Sequence, residues 1–282
     1  MNTERFPQIL TESLPYLLKY QNQTVVIKYG GNAMTDEVVK TSILSDVLLL
    51  KTIGIKVILV HGGGPAINDV LAKYNQKTEF VNGLRVTDEK TAELALMALS
   101  GQVNKNLVQE IIKLGGNAIG ISGIDGKLIE VEKISDQLGF VGQITEIHTE
   151  FLEQILQTDM IPVIATSGID KNGQIYNVNA DTAASRIAGK LNAERFILLS
   201  NVRGLYENYP DEQSFLNEIS LSNLTSLMNS GKISDGMIPK LEAIKYAMNE
   251  GLSEAVLLDG RIKNALILEL FTEQGFGTLI KK

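Results

Sequence analysis

TVVIKYGGNAM (24–34) and KVILVHGGGPAIN (56–68) decide the fold. Each begins as a run of β-branched and aliphatic residues with no polar alternation, the pattern of a strand buried on both faces. Each then passes through consecutive glycines into a helical pattern, so the two stretches read as parallel strand-turn-helix units. Runs of the same kind follow at NAIGI (117–121), MIPVIA (160–165), RFILLS (195–200) and EAVLL (254–258). Between them, residues 37–53, 65–75, 88–114 and 180–191 space apolar positions by three and four, as helices laid on a sheet do. The fold class is therefore α/β, with a central, mostly parallel sheet. KLIEVEKI (127–134) and FVGQITEI (140–147) read instead as an antiparallel pair beside that sheet.

Composition narrows the function. With 44% hydrophobic and 21% charged residues in 282, the chain has enough apolar sequence for a large core, which excludes disorder. A net charge of −7 argues against nucleic acid as a partner, because phosphate backbones require a basic surface. The longest stretch without charge, 219–231, has 13 residues, short of the roughly 20 that span a bilayer, so no membrane partner is expected. The absence of cysteine removes thiol nucleophiles and thiolate metal sites. MNTERFPQILTESLPYLLKY (1–20) lacks the apolar core of a secretory signal, which favours a cytoplasmic protein. A soft boundary falls near residue 190 without a Pro/Ser linker, as expected of two lobes sharing one sheet.

The glycine turns carry the chemistry. Gly30 and Gly31 follow the first strand, and Gly62, Gly63 and Gly64 follow the second, just before Pro65. One such turn only permits a tight connection, but two at the carboxyl ends of parallel strands can converge on one anion. Neither matches GxxxxGK[ST] or GxGxxG, which disfavours a Walker-A ATPase and a dinucleotide oxidoreductase. Lys28 ends the run VVIK, where an unpaired ammonium is costly, so it is expected to face a polar cleft. Lys240 lies early in the helix of KISDGMIPKLEAIKYAMNEG (232–251) and reads either as a surface lysine or as a second site cation. In QIYNVNADTAA (174–184), Asp181 reads equally as a helix cap and as a site carboxylate, with Asn177 nearby. Arg85, in NGLRVTDEKT (82–91), is a candidate anchor for a carboxylate, ahead of a helix that Thr87 is expected to cap. His61 is read as a support for its glycine turn and His148 as a loop residue.

In order along almost the whole chain, VIKYGGNAM, VHGGGPAIN, VNGLRVTD, NVNADTAA, LLSNVRGL, GKISDGMIPKLEAI and LLDGR resemble the amino-acid-kinase family. The resemblance implies a three-layer αβα sandwich. It implies an N-terminal helical segment (1–22), an acyl-amino-acid lobe (23–190) and an ATP lobe (191–282). The implied reaction is transfer from ATP, carried with Mg²⁺, to the γ-carboxylate of N-acetyl-L-glutamate, giving N-acetyl-L-glutamyl 5-phosphate early in arginine biosynthesis. Lys28, Lys240 and Asp181 would be catalytic, and Gly30 and Gly31 would bind phosphate. Gly63, Gly64, Arg85 and Asn177 would hold substrate, with no metal ligand from protein side chains. One departure is Asn201 in LLSNVRGL, where the family usually has Asp.

The two ends, ILTESLPYLLKY (9–20) and NALILELFTEQGFGTLI (264–280), resemble segments of arginine-sensitive members. That implies feedback inhibition by L-arginine at Tyr16, Glu269 and Gly275. It also implies a hexamer, a trimer of dimers joined by N-terminal helices. In oxygenic phototrophs such enzymes also bind a PII-type signalling protein, and in a plastid-bearing source the compartment would be the plastid stroma. Alternatively, the first helix only covers its own domain. The competing readings are another phosphate-transferring member of the family and a catalytically silent amino-acid sensor.

Overall fold

A computed structural model describes residues 6–34, 36–234 and 236–282. Its centre is an eight-stranded sheet. Along the sheet run β14 (Glu218–Ser220), β16 (Thr278–Lys281), β15 (Glu254–Asp259), β11 (Arg195–Ser200), β1 (Thr24–Tyr29), β2 (Lys56–His61), β8 (Ile161–Ala165) and β5 (Ala118–Ser122). All neighbours are parallel except β15 and β16. The sheet crosses residue 190 unbroken, because β1 pairs with β2 on one side and β11 on the other.

Alternation along the strands sorts the two faces. Val26, Ile58, Val60, Phe196 and Leu198 pack under α6 (Glu150–Leu156), α7 (Ala180–Lys190), α8 (Leu221–Asn229) and α9 (Ile238–Glu250). Val25, Ile27, Tyr29, Val57 and Leu59 pack on α2 (Glu37–Thr52), α5 (Asn104–Lys113) and α10 (Ala265–Leu270). Helix, sheet and helix form the three layers expected. Near the carboxyl end of β8, α3 (Gly64–Lys73) and α4 (Glu89–Leu96) make a smaller cluster around Leu71, Leu94 and Leu99. Helix α1 (Phe6–Tyr20) precedes the sheet and exposes Ile9, Leu10, Leu14 and Leu18.

Three local expectations are corrected. The helix read as continuous over 88–114 contains a π-helical segment, Met97–Val103, between α4 and α5. Its cap is Asp88, whose Oδ1 accepts the Thr91 N–H at 2.7 Å, while the Thr87 hydroxyl donates to the Arg85 carbonyl. The antiparallel pair, β6 (Ile129–Lys133) and β7 (Gly142–Ile147), is part of a four-stranded sheet with β9 (Ser167–Ile169) and β10 (Ile175–Asn177). That sheet and the ribbon of β3 (Phe80–Val81) and β4 (Leu84–Arg85) lie beside the carboxyl ends of the main strands. A further ribbon pairs β12 (Leu205–Tyr206) with β13 (Phe215–Leu216).

Candidate active site

A cavity of about 470 Å³ opens at the carboxyl ends of β1 and β2. Lys28, Gly30, Gly31, Gly63, Gly64, Arg85, Asn177, Asp181 and Lys240 all line it, so residues spread over 213 positions of sequence meet in one place. Lys28 shares the α7 face of β1 with Val26, and the register sets it opposite Leu198 and Val60. Asp181 lies in the first turn of α7, but the cap of that helix is Asn179, whose Oδ1 accepts from the N–H of Asp181 and of Thr182, each at 3.0 Å. The Asp181 carboxylate is thereby free to bridge two cations. Its Oδ1 lies 2.9 Å from Lys28 Nζ and its Oδ2 2.6 Å from Lys240 Nζ.

Burial by itself raises the pKa of Asp181, and the two ammonium groups outweigh it, holding the carboxyl below its ordinary range. Lys28 and Lys240 share the Asp181 carboxylate, so each ammonium, with three N–H donors, keeps donors for an anion in the cavity.

The glycine turns bring backbone to the same space. A Cβ on Gly30 would lie 2.7 Å from Lys28 Nζ, so a side chain there would push that ammonium from its place beside Asp181. Gly31 has a φ of +67°, the left-handed region that glycine tolerates. Helix α3 starts at Gly64 with no side chain bonding its first N–H groups, which leaves the positive end of the helix at the cavity. Arg85 is 6% exposed and oriented by Asn68 Oδ1 at 2.7 Å, Thr78 Oγ1 at 3.3 Å and the Phe80 ring at 4.8 Å. Asn177 ends β10, its N–H donating to the Phe140 carbonyl. Asn201 lies in the exposed turn after β11 and does not line this cavity.

His61 does support its turn. Fully buried, it bonds through Nδ1 to the Gly62 carbonyl and through Nε2 to Asn104. His148 is a loop residue beside Glu130, 3.2 Å away. Sequence reasoning missed Asn104 and Leu99. A polar residue among the apolar positions of an amphipathic helix, Asn104 in VNKNLV (103–108), was the available signal.

Tyr16, Glu269 and Gly275 also meet, in a second cavity of about 400 Å³ between α1 and the segment joining α10 to β16. Glu269 is buried; its Oε2 accepts from the N–H of Phe276 at 2.7 Å and of Gly277 at 2.9 Å. Buried Arg195 pairs with Glu254 and lies 3.5 Å from Glu269. Residue 195, absent from the sequence-based set, is central to this second site.

The chain is similar along its length to known proteins. Acetylglutamate kinase of Lactococcus lactis subsp. cremoris (strain MG1363) is 69% identical over 279 residues, 99% of each chain. The acetylglutamate kinase of Caldanaerobacter subterraneus subsp. tengcongensis is 48% identical over 276 residues, covering 97% of this chain and 92% of that one. Among solved structures, N-acetylglutamate synthase from Neisseria gonorrhoeae, complexed with coenzyme A and N-acetyl-glutamate, superposes with a TM-score of 0.86 at 23% identity. That likeness covers 98% of this chain and 63% of the synthase, and it is one of fold. The sequence pattern of the amino acid kinase family extends over residues 23–259, from the first strand of the sheet to the end of β15, and the chain belongs to that family.

Proposed function

We propose that the protein transfers the γ-phosphoryl group of ATP to the γ-carboxylate of N-acetyl-L-glutamate, forming N-acetyl-L-glutamyl 5-phosphate and ADP, an early step of arginine biosynthesis. The observation that carries this reading is the Lys28–Asp181–Lys240 bridge in a cavity walled by two glycine turns, in a chain 69% identical to an acetylglutamate kinase. A carboxylate oxygen attacks the γ-phosphorus, a P–O bond forms, and the bond to the ADP oxygen breaks. The γ-carboxylate is already ionised at neutral pH, so no general base is needed. The obstacle is that two anions must meet, and positioning with charge neutralisation removes it.

In this reading Lys28 and Lys240 flank the transferring group, and Asp181 holds both ammonium groups in place. Backbone N–H groups of Gly30, Gly31, Gly63 and Gly64 take phosphoryl oxygens. Arg85 and Asn177 hold the α-carboxylate and neighbouring polar atoms of the acyl amino acid. Residues 23–190 would carry that substrate and residues 191–282 the nucleotide. Mg²⁺ carried by the nucleotide would supply neutralisation of the β- and γ-phosphate charge. Asp181 lies between its two lysines, and in this reading the ion rides on the phosphates.

The test is trapping of acyl phosphate with hydroxylamine, using Mg-ATP and N-acetyl-L-glutamate, glutamate, aspartate or carbamate. Hydroxamate from N-acetyl-L-glutamate alone is expected; product from another acceptor only would overturn the substrate assignment.

The second cavity supports regulation by L-arginine. Its lining sets Glu218, Glu254, Glu269 and Glu273 against Lys19, Arg195 and Lys281, an acidic balance suited to a cationic ligand. The exposed Ile9, Leu10, Leu14 and Leu18 of α1 suit packing against a second copy in a hexameric, cytoplasmic enzyme. Arginine is expected to suppress hydroxamate formation in the full chain and to lose that effect in Glu269→Ala. Unchanged activity at millimolar arginine would exclude the regulatory role.

A further inference from the structure

Neither Asn104 nor His61 lines the active-site cavity, yet they are buried polar side chains joined by a hydrogen bond, and His61 bonds in turn to Gly62, which does line it. Asn104, 1% exposed, directly follows the π segment, and its N–H reaches back five residues to the Leu99 carbonyl. The wider turn sets its side chain against the sheet. There Nδ2 donates to the carbonyls of Val163 at 2.9 Å and Ile121 at 3.2 Å, and His61 Nε2 lies 3.1 Å from the same nitrogen, sharing one of its two protons. Its Oδ1 accepts from Lys105 Nζ at 3.2 Å. A Cβ on Gly120 would overlap that oxygen.

This network fixes the tautomer of His61. The two backbone carbonyls can only accept, so the NH₂ of Asn104 faces them and His61 Nε2 is the acceptor. The imidazole proton is therefore on Nδ1, which donates to the Gly62 carbonyl at 2.8 Å. Burial keeps the ring neutral, its pKa pushed down to about 4.

A trans peptide carries its C=O and N–H on opposite sides. With the Gly62 carbonyl turned to buried His61, the Gly63 N–H points the other way, toward the cavity that both glycines line. The Gly62 N–H is already bound to the Tyr29 carbonyl at 3.0 Å. Between two glycines, no Cβ resists a flip of the intervening peptide. Flipped, it would present a carbonyl oxygen to an incoming phosphoryl group. We propose that His61, held as the Nδ1-protonated tautomer by Asn104, is a positioning residue that locks the Gly62–Gly63 peptide with its N–H toward the transferring phosphoryl group. This rests on the phosphoryl-transfer reading above and adds to it the residue that aims one of its donors.

Two substitutions separate the two ring nitrogens. Asparagine at position 61 keeps an amide N–H near Nδ1, within reach of the Gly62 carbonyl. Glutamine keeps a partner for Asn104 near Nε2 and lacks the donor to Gly62. His61→Gln is expected to lower kcat roughly 100-fold, as loss of one preorganised donor does, with KM for both substrates little changed. His61→Asn should keep most of the turnover. Equal losses in the two variants, losses that follow melting temperature, or wild-type kcat in His61→Gln would overturn the proposal. A crystal structure of His61→Gln reads the peptide independently of any substrate. A flipped Gly62–Gly63 peptide is expected there, and an unflipped one overturns the lock. Failure of the wild-type protein to phosphorylate N-acetyl-L-glutamate would instead overturn the substrate reading.

Discussion

Replacing Lys28 or Lys240 by alanine removes one of the two cations that Asp181 bridges and, in the proposed reaction, a charge contact at the transferring group. Either change is expected to lower kcat by two to three orders of magnitude, roughly 3–4 kcal/mol of transition-state stabilisation. Steady-state hydroxamate assays check it, and near-normal turnover in either variant would remove that lysine from the mechanism. Arg85→Ala should mainly raise KM for the acyl amino acid, because Arg85 lines the cavity without taking part in the Lys28–Asp181–Lys240 bridge. His61 makes a different prediction. Its pKa is about 4 when folded, against 6.5 as the ordinary value, so between these limits the unfolded chain binds more protons. Stability from this residue is full above pH 6.5 and is lost as pH falls to 4, by roughly 3 kcal/mol. Urea unfolding at pH 7 and 4.5 should show the loss in the wild-type protein and a smaller one in His61→Gln. Lys28, Arg85 and the glycines, which line one cavity, stand next to turn signals or end buried runs, whereas Lys240 also read as a surface lysine. Asp181 was ambiguous, since a carboxylate in a first helical turn is also a good cap, and only the geometry of Asn179 resolves it.

Elements show where periodicity carries information and where it stops. The strands and their glycine turns were read to within a residue or two, because an unbroken β-branched run between turn signals has few alternatives. The π segment was not legible: MALSGQV (97–103) keeps apolar residues close enough to pass for a regular helix. β9 and β10 were missed because each is three residues long, although Asp170, bonding the N–H of Asn172 and Gln174, marks the turn between them. The π segment makes a packing prediction. A Cβ on Gly63 would meet Leu99 Cδ2 at 2.7 Å and Val103 Cγ2 at 3.3 Å, while its φ of 172° suits any residue. Gly63→Ala should therefore cost about 1–3 kcal/mol by overpacking, and Leu99→Ala about 2–5 kcal/mol by cavity formation. The double variant should lose less than the sum by about 1 kcal/mol, read from chemical denaturation. Asp46, on α2, accepts from the Asn264 amide and the Leu266 N–H at the start of α10. Burial raises its pKa to about 6, so its contribution to stability falls as pH rises through 6, opposing the His61 trend between pH 4 and 6. Asp46→Asn should steepen the acid loss measured for the wild type.

At the scale of the molecule, the missing linker near residue 190 was the informative absence, since it pointed to a sheet shared by both halves. The sheet's β14–β16 edge was not legible, because β14 has three residues and β16 only four, just after Gly275 and Gly277, too few to carry a periodic signal. A shared sheet has a thermodynamic consequence. β1 pairs with β2 and β11, α7 packs on α9, and Asp181 ties a lysine of β1 to one of α9. Neither half can unfold without exposing the strand and helix it shares with the other. Calorimetry at fixed protein concentration should therefore give one transition, with calorimetric and van't Hoff enthalpies equal per cooperative unit. N-acetyl-L-glutamate and ADP should each shift that whole transition. Either ligand at about 100 times its Kd stabilises by roughly 2.7 kcal/mol. Two transitions, with each ligand moving only one of them, would mean that the halves fold separately and that the Lys28–Asp181–Lys240 bridge does not couple them.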